Sequence, residues 1–92
     1  MNIERKLTVK HKNGLHARPI TSIVRVAQKF NCDLHLMSTV NNKKADCKSV
    51  LSLLLLGATQ GTELILYSSG PDAKLATDEI SGFFERNFDE AI

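Results

Sequence analysis

The sequence predicts an α+β protein. Its expected form is an open-faced β-sandwich, a four-stranded, mostly antiparallel sheet covered on one face by three helices in the order β-α-β-β-α-β-α. Three observations carry this. Short stretches alternate apolar and polar residues with period 2. Two longer stretches repeat apolar residues with the 3.6-residue period of a helix: Ile20, Ile23, Val24, Ala27 and Phe30 in one, and Ala76, Ile80, Phe83 and Phe84 in the other. Turn-forming pairs (Asn13-Gly14, Asn41-Asn42, Gln60-Gly61, Gly70-Pro71) separate the stretches. The 92 residues fit a single domain over 1–92, large enough for one core.

Residues 3–10 alternate, with Ile3, Leu7 and Val9 apolar, and read as a half-buried first strand whose register is loosest near Met1. Lys12-Asn13-Gly14 is a loop. The first helix is expected from Ala17 to Phe30, ending at Asn31. Cys32, Leu34 and Leu36 alternate with Asp33 and His35 as a second strand, and the Asn41-Asn42 turn leads into a short third strand from Lys43 to Asp46. His35, on the polar phase, should face solvent, and His11 is read the same way.

The segment from Lys48 to Leu56 is leucine-rich, with Gly57 a natural stop and Ser49 at the helix N-terminus. With Leu53 and Leu56 taken as the inner face, Val50, Leu51 and Leu54 are surplus apolar surface. Periodicity leaves two readings open, a buried helix or an exposed patch for partners. Thr62 to Tyr67 is apolar enough for a central strand. Gly70-Pro71-Asp72 starts the last helix, with Pro71 near its first position and Asp72 in its first turn. Phe88 closes its end.

Composition narrows the function. Hydrophobic (42%) and charged (24%) residues stand at ordinary globular proportions, and a net charge of +2 gives no argument for nucleic acid. Lys6, Lys10, Lys12, Lys43, Lys44 and Lys48 could form a mildly positive face, but solvated lysines on edges and turns are the better reading for most of them. Cys32 and Cys47 are too far apart for a CxxC pair, and no signal peptide precedes them, so both read as reduced thiols in the cytoplasm. The longest apolar run, Val50 to Leu56 interrupted by Ser52, is far short of a membrane span. The histidines lack the spacing of a metal site, and no metal or cofactor is expected.

The stretch that carries chemistry is Gly14-Leu15-His16-Ala17-Arg18-Pro19. It sits where a loop becomes a helix, so the first-turn amides have no intrahelical partner and the dipole end is positive. Proline fits there because its missing N–H would have been an orphan. Free amides, an arginine and an imidazole suit a phosphoryl group. The local grammar is irregular: His16 is a poor N-cap, and Arg18 precedes a proline that biases it away from helix. The plainer reading is a surface histidine before a helix.

With that hexapeptide between strand and helix, the chain resembles the histidine-containing phosphocarrier family, HPr. Lys48-Ser49-Val50 and the leucine-rich helix after it resemble the family's regulatory-serine segment. Gly57-Ala58-Thr59-Gln60-Gly61-Thr62 is similar to its turn before the last strand. The similarity runs from about Arg5 to Asp89. It implies an HPr-like fold and a phosphocarrier of the phosphoenolpyruvate-dependent phosphotransferase system, with no cofactor. By that resemblance His16 accepts a phosphoryl group on Nδ1 from enzyme I and passes it to a IIA protein or domain. Arg18 and the amides of Ala17 and Arg18 steady the charge, and Val50, Leu51 and Leu54 dock partners. Ser49 matches the serine that an HPr kinase/phosphorylase modifies in some branches. Phe83 to Glu90 resembles the nitrogen-related branch, NPr, whereas Asn13-Gly14 and Thr59-Gln60-Gly61 resemble sugar-uptake HPr. The resemblance implies a stoichiometric carrier, with a monomer expected. The competing readings are a regulatory binding module acting through its docking face and a small catalytic domain using His16 as general base. The first is disfavoured by His16 together with Arg18, the second by the lack of a triad or nucleotide loop.

Overall fold

The computed structural model describes residues 2–89. Glu90, the last residue of the nitrogen-branch-like segment, lies outside them, as does the register at Met1. The elements are β1 (Asn2–Thr8), α1 (Ala17–Lys29), β2 (Asp33–Ser38), β3 (Lys44–Asp46), α2 (Val50–Leu56), β4 (Glu63–Ser69) and α3 (Ala73–Glu85). This is the expected order, with boundaries that coincide or move by at most three residues. The strands lie in the order β1-β4-β2-β3, and every neighbouring pair is antiparallel. The sheet is thus wholly rather than mostly antiparallel, and β4 sits inside it as its apolar density requires.

Alternation assigns the faces. Leu7, Leu34, Leu36, Ala45, Leu64 and Leu66 are buried on the helix side, in registers such as Leu7↔Leu64 and Leu36↔Leu66. Glu4, Lys6, His35, Met37, Ile65 and Tyr67 take the opposite phase and form the open face. Ile20, Ile23, Leu53 and Ile80 descend from the three helices into the same core. Full burial of such side chains stabilises by about 1.5–3 kcal/mol each. α3 packs on β1 and β4, while α2 lies against α1 and β3. Phe84 is buried and Phe83 only partly so; Phe88 meets them at 4.9 Å and 5.7 Å between ring centroids, closing the end of the core as expected.

Two local expectations change, at Asp72 and at the histidines, and the reading of the lysines is decided. Asp72 is the N-cap of α3 rather than a first-turn residue, with Pro71 before it, and its Oδ2 accepts the Asn31 N–H at 2.8 Å, tying α3 to the end of α1. The lysines do not share one face. Lys6 and Lys44 flank a cross-strand row on the open sheet, whereas Lys10 Nζ donates to the Glu85 carbonyl at 3.1 Å. His11 is buried, with 6% of its surface exposed, and His35 is half-buried. Among the described residues no helix is long and apolar enough to cross a membrane.

Candidate functional site

His16 occupies the N-cap of α1, with extended backbone (φ −103°, ψ −174°). The Ile20 N–H donates to the His16 carbonyl at 3.1 Å and makes the first helical bond. The amides of Ala17 and Arg18 come before it, and Pro19, third in the helix, has no N–H to leave unsatisfied. Arg18 is helical despite the proline after it, because Pro19 and Ile20 are buried and hold the first turn against the core. Ala17 and Arg18 are exposed and His16 is half-buried. The His16 Nε2 is buried.

The approach to His16 is held at several points. The Gly14 N–H donates to the His11 carbonyl at 2.9 Å, closing a turn, and the Leu15 N–H donates to the Ala58 carbonyl at 2.9 Å. Gly14 has φ +69°, and a Cβ there would overlap the Ala58 carbonyl oxygen and stand 3.0 Å from Thr59 Cα. The segment that leaves α2 therefore presses directly on the loop that delivers His16.

Ser49 is the N-cap of α2; its Oγ accepts the Ser52 N–H at 3.1 Å. The Ser52 hydroxyl accepts the Asp46 N–H at 2.9 Å, and Gly57 ends the helix by donating to the Leu54 carbonyl at 3.2 Å. Leu53 and Leu56 are buried, whereas Val50 (43%), Leu51 (65%) and Leu54 (48%) are exposed, which decides the ambiguity of this helix for surface rather than core. Leu55 (66% exposed) joins them, a residue the periodicity did not single out. His16, Ala17 and Arg18 converge on one helix end, and Ser49 with the three leucines lies on the helix packed beside it.

Other groups are chemically quiet. Burial pushes the Cys47 thiol up to about 12, with Asp46 and Cys32 adding to the effect, and burial also raises Cys32. Both thiols are protonated and unreactive at neutral pH. Among the described residues no group of His, Cys, Asp or Glu is arranged to hold a metal. A hollow of about 370 Å³ lies on the open sheet face, lined by Asn2, Glu4, Asp33, His35 and Tyr67, away from His16. The His16 end has the form of an exposed contact, which suits exchange of a small group with another macromolecule better than enclosure of a substrate.

A family profile described as the "PTS HPr component phosphorylation site" matches residues 3–86. This chain belongs to the HPr family. The HPr-family chain is 37% identical over 89 residues to phosphocarrier protein NPr of Shewanella violacea, covering 97% of this chain and 96% of that one. It is 32% identical over 83 residues to phosphocarrier protein HPr of Vibrio cholerae, covering 90% and 95%. Among solved structures it is similar to HPr-C-His from Thermoanaerobacter tengcongensis, with a TM-score of 0.90, 32% identity and coverage of 98% and 99%. Family membership makes it a phosphocarrier of the phosphotransferase system, and its relatives carry both HPr and NPr names.

Proposed function

We propose that His16 is the phosphoryl acceptor, charged on Nδ1 by the phosphohistidine of enzyme I and discharged to a histidine of a IIA protein. The observation that carries this reading is the half-buried imidazole at the N-cap of α1, next in the chain to the first-turn amides of Ala17 and Arg18. The Nδ1 lone pair forms the new N–P bond as the donor's N–P bond breaks, and the electron pair returns to the donor ring. The Arg18 guanidinium and the positive end of α1 stabilise the transferred charge; positioning and charge stabilisation are most of what phosphoryl transfer requires.

Val50, Leu51 and Leu54 are the apolar part of the docking surface, a small patch of the kind that dominates transient interfaces. Ser49 is the regulatory position for an HPr kinase/phosphorylase. A phosphate on its Oγ brings a charge of about −2 beside that patch and repels an acidic partner. The carrier acts in the cytoplasm as a monomer, in sugar uptake or in nitrogen and carbon regulation. Incubation with enzyme I and labelled phosphoenolpyruvate tests the reading: one acid-labile label per chain, transferable to a IIA protein, is expected. An acid-stable label, or none, contradicts it.

A further inference from the structure

His11 is a buried titratable group that the chemistry above does not use. Its Nδ1 accepts the Asn13 N–H at 3.0 Å, and its carbonyl accepts the Gly14 N–H at 2.9 Å. A ring nitrogen that accepts an amide N–H carries no proton, so the ring is the neutral tautomer with its hydrogen on Nε2. The ring centroid lies 5.0 Å from that of His16, the planes tilted by 53°, within the range of a packed aromatic pair. The two imidazoles are thus in contact, and the first is tied at both ends to the turn that delivers the second.

This matters because χ2 of histidine is a broad, roughly two-fold torsion. A half-turn of the His16 ring about that bond puts Cδ2 where Nδ1 stood and Cε1 where Nε2 stood, and only one of the two arrangements offers Nδ1 to a partner. We propose that His11 is a positioning residue for phosphoryl transfer: its fixed neutral ring is the wall that holds the His16 ring with Nε2 inward and Nδ1 outward. The proposal rests on His16 being the acceptor. It adds a residue five positions upstream whose side chain never touches the phosphoryl group.

Two substitutions separate the ring from the turn. In His11→Asn the side-chain oxygen can still accept the amide two residues on, as in an Asx-turn, but the ring is gone. In His11→Phe the ring remains and the acceptor is lost. His11→Asn is expected to keep the wild-type melting temperature and the KM for phosphorylated enzyme I, while the first-order transfer rate falls about threefold to tenfold. Nitrogen-15 spectra of its His16 ring should show a changed tautomer ratio or added ring motion. His11→Phe should melt earlier yet transfer, below its melting temperature, at close to the wild-type rate. The proposal is overturned by a His11→Asn protein with wild-type rate and wild-type His16 spectrum, or by a His11→Phe protein as slow as His11→Asn. Label persisting in His16→Ala refutes the acceptor assignment instead, so the two failures are distinguishable.

Discussion

Gly14→Ala should be among the most damaging single-methyl additions in this protein, and the structure gives the reason in two parts. The residue has φ +69°, where an L side chain costs about 1–2 kcal/mol. The new Cβ would also overlap the Ala58 carbonyl oxygen and press on Thr59 Cα at 3.0 Å. Both neighbours are backbone, so no side chain can rotate away, and overpacking of this kind costs about 1–3 kcal/mol. Together these give about 2–5 kcal/mol. At about 4–8 °C per kcal/mol for a domain of this size, the melting temperature should fall by about 8–40 °C. Gly61→Ala is the internal control, since Gly61 has φ +88° but open space around its Cα. It should lose only the conformational part, about 1–2 kcal/mol. Thermal unfolding followed by circular dichroism measures both. Equal losses at the two glycines would refute the claim that the Ala58 segment braces the His16 loop.

Arg18→Ala should slow phosphoryl transfer about tenfold or more while the melting temperature stays within about 3 °C, because the side chain is exposed and contributes charge rather than packing. Stopped transfer assays beside a melting curve check this, and equal transfer rates would remove Arg18 from the mechanism. Leu51→Glu should leave the circular dichroism spectrum intact and weaken binding to enzyme I by about tenfold or more, Leu51 being 65% exposed. Full affinity in a folded variant would take Leu51 off the docking surface. Asp78 is held below the usual carboxylate range by hydrogen bonds from Lys74 and Arg5. Its contribution is therefore complete above its unfolded value near ~4 and is lost as pH falls through the lower folded value. Melting temperature followed below about pH 4 should decline more steeply for wild type than for Asp78→Asn at low salt; coincident curves would exclude the linkage.

Much of this architecture was legible because it is written in local periods. Leu34 and Leu36, Leu64 and Leu66, and Ile20, Ile23 and Ala27 are buried where alternation or the helical period puts them. The junction at His16 was also visible, since Pro19 suits a first helical turn and an amphipathic run follows it. The fate of Val50, Leu51 and Leu54 was not, because seven residues of nearly continuous leucine carry no phase of their own. Only packing against α1 and β3 selects Leu53 and Leu56 as the inner pair. His11 escaped for a different reason. Its burial depends on a ring-to-amide bond inside its own turn and on a contact with His16, neither of which has a composition signal. Asp72 likewise spends its carboxylate on Asn31, forty-one positions away in sequence, rather than on its own helix.

The measurement that bears most directly on the account is the site of the phosphate itself. After charging with enzyme I and phosphoenolpyruvate, a proton–phosphorus correlation spectrum of the native chain assigns the phosphorylated ring nitrogen. Phosphorus on Nδ1 has one ring proton three bonds away, Hε1, whereas phosphorus on Nε2 has two, Hε1 and Hδ2. The account predicts a single signal coupled to one ring proton of His16 and no signal in His16→Ala. A signal coupled to two ring protons, or one that survives in His16→Ala, would contradict it.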